Sequence, residues 1–155
     1  MRIALALATM LMVAATASCT TAGVPALDGM SFTDEPLPGK IIWNDLITQD
    51  IDAARQFYGG MFGWSFTEIE RPDGREYSVA RLGDVYIAGL LAADRRDDGQ
   101  NVSRWLPYVS VADADEAVRR GAAGGASVVV PPRDVALGRV AAIIDPQGAV
   151  IGLAA

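Results

Sequence analysis

The sequence predicts an α+β domain built from two βαβββ modules in tandem. Two observations carry this. Hydrophobic spacing passes from strand period to helix period and back over residues 41–91, and again over residues 105–153. A shift of 63 residues then lays one pattern on the other: Asp50, Asp52 and Ala54 fall on Asp113, Asp115 and Ala117, and Gly89-Leu90 falls on Gly152-Leu153. In an alanine-rich chain a few identities arise by chance. The shared element order and the common register at both ends weigh more.

The chain divides into three parts. Residues 1–18 read as a signal peptide: Arg2, the unbroken apolar run Ile3–Ala15, then the small residues Thr16, Ala17 and Ser18. The run is too short for a helix that stays in a bilayer. Residues 19–39 carry Pro25, Pro36 and Pro38 without periodicity and read as a tether. Residues 40–155 form the domain, with modules at 40–93 and 103–155.

In the first module, Ile41–Thr48 is the opening strand. Asp50 caps a helix in which Ile51, Ala54, Tyr58 and Met61 keep helical spacing, and Gly63 stops it. Trp64–Ile69, Glu76–Leu82 and Asp84–Leu91 follow as strands, separated by turns at Arg71–Gly74 and at Gly83-Asp84. The charged stretch 92–101 is a solvated connection. In the second module Trp105–Val111 is a strand, and Asp113 with Glu116 has capping-box spacing. The glycines at 121, 124 and 125 are expected to end that helix. They follow a helix, so they do not read as a phosphate loop. Ser127–Val130, Arg139–Ile144 and Ala149–Leu153 complete the module as strands.

Composition narrows the chemistry. The chain has 155 residues, no histidine and one cysteine. That excludes Ser-His-Asp and Cys-His catalysis, histidine- or cysteine-built zinc, iron or copper sites, and an internal disulfide. An all-oxygen magnesium or calcium site made of carboxylates stays open. A net charge of −6 without a basic tract argues against nucleic-acid binding.

Two resemblances sharpen the reading. Thr16-Ala17-Ser18-Cys19 resembles a bacterial lipobox, although lipoboxes usually have leucine where Thr16 stands. An unpaired cysteine is a liability in an oxidising compartment, which favours lipidation of Cys19 over plain cleavage. The expectation is a membrane-anchored lipoprotein of the cell envelope, facing the periplasm from the outer membrane. The second resemblance rests on Trp43, Asp45-Leu46, Thr48 and Asp50, on Phe57-Tyr58-Gly59-Gly60-Met61-Phe62-Gly63-Trp64, and on Asp145-Pro146, Gly148 and Gly152-Leu153. These are similar to the vicinal oxygen chelate superfamily of glyoxalases, bleomycin-resistance proteins and ring-cleaving dioxygenases. It implies two modules whose curved sheets pair around a half-open cavity.

Metal-dependent members of that superfamily place one ligand on the first and last strand of each module. Carried onto this sequence, those positions are Trp43, Gly89, Leu106 and Gly152, none of which coordinates through its side chain. No cofactor is therefore expected. Strand alternation puts Trp43, Asp45 and Ile47 on one face, and Leu106, Tyr108 and Ser110 on the matching face of the other module. Asp45 and Tyr108 in an otherwise apolar pocket walled by Trp43 suit a small, partly apolar ligand. The glycines at 89 and 152 are expected to leave room opposite Trp43 for a flat molecule. Three roles stay open: a metal-free binding module, a metal-independent enzyme with Asp45 as base and Tyr108 as acid or orienter, and a purely structural envelope protein. At the residue level the alternative is that Asp45 and Tyr108 satisfy each other, or cap nearby backbone, as a structural polar pair. Expected partners are a small-molecule ligand and the membrane through Cys19, with a homodimer as a further option.

Overall fold

The computed structural model describes residues 37–71, 73–135 and 138–155. The signal peptide, Cys19 and the tether up to residue 36 lie outside the described residues. The elements run β1 (Ile41–Thr48), α1 (Ile51–Phe62), β2 (Ser65–Ile69), β3 (Tyr77–Leu82), β4 (Val85–Ala92), β5 (Arg104–Ser110), α2 (Ala114–Ala123), β6 (Ser127–Val135), β7 (Gly138–Ile144) and β8 (Val150–Ala154). They form two βαβββ modules and one curved eight-stranded sheet, ordered β2-β3-β4-β1-β5-β8-β7-β6.

The duplication extends to hydrogen-bond register. In the first module β1 pairs parallel with β4, setting Asp45 beside Gly89. In the second, β5 pairs parallel with β8 and sets Tyr108 beside Gly152, each residue 63 positions on. The modules join where β1 and β5 run antiparallel, with Trp43 opposite Tyr108 and Asp45 opposite Leu106. The six positions singled out in the sequence therefore lie on the four central strands.

Both helices pack on one side of the sheet and start as expected. Asp50 accepts the Ala53 N–H, and Asp113 accepts the Glu116 N–H, satisfying donors that the first helical turn leaves open. Ile51 and Ala54 of α1 are buried against Leu46, Ala80 and Leu90. Met61, expected on that inner face, is instead 63% exposed. The last turn of α1 packs through Tyr58 and Phe62 on Trp64, and Met61 falls outside that stack. Gly63 ends α1 in the left-handed region at φ 69°, its N–H bonded to the Gly59 carbonyl.

Two expectations in the second module need correction. Gly121 does not end α2, which continues to Ala123. A Cβ at Gly121 would lie 3.2 Å from Ile143 Cδ1, so the glycine lets the helix approach β7 closely. Strand β6 does not stop at Val130 but runs through Pro131 and Pro132 to Val135. It is an edge strand with register shifts at Val128/Val130 and Val130/Arg133, the setting in which a sheet tolerates proline.

Candidate functional site

Leu46 points into the core under α1, so alternation turns its neighbour Asp45 to the opposite, concave face. Trp43 shares that face. Its indole Nε1–H donates to Asp45 Oδ1 at 2.8 Å. The Tyr77 hydroxyl donates to the same oxygen at 2.9 Å. The Tyr108 phenol, from the other module, lies near enough to act on the same carboxyl. Asp45 is 6% exposed, and Val79 and Leu106 beside it are closed off as well.

The electrostatics follow from that burial. Loss of water pushes the Asp45 carboxyl above its ordinary range. Hydrogen bonds from Trp43 and Tyr77, the nearby Tyr108 phenol and the Arg71 charge pull the other way without overcoming it. Burial also raises the Tyr77 and Tyr108 phenols, and the neighbouring carboxyl raises them further. Both phenols thus stay protonated at neutral pH and serve as donors. The group can exchange a proton, donate hydrogen bonds and stack an aromatic surface.

The expected room opposite Trp43 is filled. A Cβ at Gly89 would run into Asp45 Oδ1 and the Tyr77 hydroxyl, and one at Gly152 into the Tyr108 ring. Neighbouring side chains cover the bare glycines, because an uncovered gap in a packed sheet forfeits contacts. The same geometry bears on a metal. The four family positions Trp43, Gly89, Leu106 and Gly152 bring no coordinating side chain, and the Asp45 oxygen nearest Gly89 is already an acceptor for two donors. Among the described residues no group of three His, Cys, Asp or Glu side chains is close enough to hold a metal ion. This donor set does not fit the superfamily's metal.

Sequence reasoning missed Tyr77 and Arg71. Tyr77 lay in a predicted strand, but its approach to Asp45 depends on β4 separating β3 from β1. The available signal was alternation with Val79, which pairs with Gly89. Arg71 lay in a predicted turn. Its guanidinium sits 5.7 Å over the Tyr77 ring and forks onto Asp73 at 3.0 and 2.6 Å. On the helix side a separate cleft of about 390 Å³, lined by residues including Phe57, Tyr58, Arg95 and Asn101, lies between α1 and the inter-module connection.

Comparison with known proteins agrees with this architecture. The family model of the Glyoxalase/Bleomycin resistance protein/Dioxygenase superfamily matches residues 40–153, and the chain belongs to that superfamily. Among curated relatives, CFP32 of Mycobacterium tuberculosis, provisionally named a glyoxylase, is 33% identical over 116 residues, 74% of this chain and 43% of that protein. The anthracycline biosynthesis protein DnrV of Streptomyces peucetius is 30% identical over 124 residues, 72% of this chain and 45% of that protein. The chain thus spans less than half the length of these relatives. Among solved structures, methylmalonyl-CoA epimerase from Mycobacterium tuberculosis superposes with a TM-score of 0.52 at 21% identity, covering 81% of this chain and 92% of the epimerase. A second methylmalonyl-CoA epimerase, in complex with methylmalonyl-CoA, gives 0.55 at 20% identity, covering 75% and 93%. At these identities the likeness is one of fold.

Proposed function

We propose that the domain binds a small, partly apolar molecule on the concave face between its modules, without a metal. The observation behind this reading is the buried Asp45 carboxyl, ringed by Trp43, Tyr77 and Tyr108 from three strands. A polar cluster at the centre of an apolar sheet face orients a ligand whose remaining surface packs on aromatic walls. Relatives named for glyoxylase chemistry and for anthracycline biosynthesis are compatible with a small-molecule site. The test is a thermal-shift screen of small aromatic and carbonyl compounds, run with and without chelator. Compounds that raise the melting temperature should do so equally in both. They should lose the effect in Trp43→Ala and keep it in Phe57→Ala, which alters the separate cleft. Stabilisation that survives Trp43→Ala would place the binding elsewhere.

A second reading is proton transfer without a metal, favoured by a carboxyl of raised pKa set against two phenols. Asp45 would then be the base and Tyr108 or Tyr77 the acid. Asp45→Asn should abolish turnover while leaving ligand binding measurable. We further propose that residues 1–18 export the domain and that Cys19 is lipidated, anchoring it in the envelope. Cys19→Ser should release it from membrane fractions. Wild-type protein that is soluble and begins at residue 18 would refute the anchor.

A further inference from the structure

The cleft on the helix side is built from α1, the end of β1 and the inter-module connection. Leu46, Thr48 and Ala54, all buried, close its floor, and the Thr48 hydroxyl is taken up by the Asp50 backbone. Phe57 and Tyr58 of α1 rise along one side, their rings edge-on at 5.0 Å, and Phe57 stays 60% exposed. The facing wall is the connection, and it is tied down. The Ala93 N–H donates to the Thr48 carbonyl at 2.7 Å, and the Gln49 side-chain amide donates to the Asp94 carbonyl at 3.3 Å. At its far end Asn101 Oδ1 accepts the Ser103 N–H at 2.7 Å. A volume of about 390 Å³ lies within the range of small-molecule sites.

The lining carries two formal charges, one of each sign. The Arg95 side chain is 76% exposed, and its ion-pair partner among the described residues is Asp50 Oδ2, at 3.6 Å. That is longer than the hydrogen bonds charged groups form when they meet directly. Asp50 uses its other oxygen to cap α1, accepting the Ala53 N–H at 2.9 Å. The charges next to these are engaged or turned away. Asp52 is held by Arg55, Asp94 faces Arg75, and Arg96 forks onto Asp98. Arg104 alternates to the concave side, in register with Ile47. A guanidinium and a carboxylate oxygen thus stand side by side at the rim of an apolar floor, each with bonding capacity left.

We propose that this cleft binds a free α-amino acid with an apolar side chain. Its carboxylate meets Arg95, its ammonium meets Asp50 Oδ2, and its side chain lies against Phe57 and Tyr58 over Leu46. The ligand's two charges then face the protein's two, and neither set has a surplus. A net anion would gain Arg95 but be repelled by Asp50, and a net cation would meet the reverse. A peptide terminus brings one of the two charges and lacks the other. The floor disfavours a polar side chain, which would lose water there without finding partners. Leu46 faces this cleft and Asp45 the concave side, so the site is independent of the reading given above.

The test titrates L-phenylalanine, L-phenylalaninamide and N-acetyl-L-phenylalanine into the full chain and follows backbone amide resonances by NMR. Phenylalanine should shift Ala53, Phe57, Asn101 and Ser103. It should bind about fivefold tighter than either blocked compound, the upper end of what an exposed ion pair contributes. Arg95→Gln should erase the advantage over the amide, and Arg95→Lys should restore part of it. Asp50→Asn should erase the advantage over the acetyl compound while keeping the helix cap, which asparagine makes as well as aspartate. Phe57→Ala should weaken all three. If a blocked compound binds as tightly as phenylalanine, or the advantages survive Arg95→Gln and Asp50→Asn, the pairing of charges is wrong and the proposal with it. If the cleft amides do not respond, or only those around Asp45 do, the cleft is not the site. Neither result bears on the concave face, whose own test is Trp43→Ala.

Discussion

Asp45 concentrates the chemistry at the scale of single residues. Its carboxyl is buried, and its pKa stands above the unfolded value chiefly because burial penalises the charged form. The folded chain therefore holds that proton more firmly than the unfolded chain. Its contribution is most favourable below the unfolded pKa and declines as pH rises through the folded one. Asp45→Asn should remove this decline, which thermal melts over the mildly acidic to neutral range would measure. A slope unchanged in the variant would assign it to another group. Tyr77→Phe deletes one donor to Asp45 Oδ1 and should cost about 1 kcal/mol, while steepening the same decline. Gly89→Ala would force a Cβ against Asp45 and Tyr77, and should destabilise by about 1–3 kcal/mol in chemical denaturation. Pairing it with Tyr77→Phe should return part of the loss.

Elements obey local rules where their surroundings are simple. Both helices start at an aspartate that accepts the N–H three residues on, and Asp113→Ala should cost about 1 kcal/mol in urea unfolding. A loss near zero would mean that packing of Ala114, not the cap, positions α2. Starts, strands and order were legible because caps, alternation and turn residues act over a few positions. The misreadings arose where a distant partner decided. Met61 has the spacing of a core residue, but the stack of Tyr58, Phe62 and Trp64 takes the last turn of α1. Gly121 looks like a terminator, but it is a contact point with Ile143. Pro131 and Pro132 look like a strand end, but at the edge of a sheet no neighbour needs their missing N–H.

The whole molecule depends on the junction of β1 and β5. Each strand pairs with its own module on one side and with the other module on the other. A chain ended after residue 102 would leave β1 with a bare edge and a module too small to bury an adequate core. It should lack a cooperative thermal transition as a monomer, as circular dichroism would report. Chelator should leave the intact domain's melting temperature unchanged, since the family's metal positions carry Trp43, Gly89, Leu106 and Gly152. Stoichiometric zinc, iron or nickel in the purified protein would contradict that.

Residue order alone determined the duplication, the element sequence, the family and the absence of histidine chemistry. These are readable because period, caps and repeat spacing are properties of neighbours along the chain. Asp45, Trp43 and Tyr108 could be placed on one face by counting in twos. Only the tertiary structure decided that Trp43 bonds to Asp45, that Tyr77 joins them from two strands away, and that Asp45 and Tyr77 occupy the space left by Gly89. It also brought Arg71, from a turn, to 5.7 Å over the Tyr77 ring. Strand order and the curl of the sheet set those meetings. Both are sums over many long-range pairings that no local window of sequence contains.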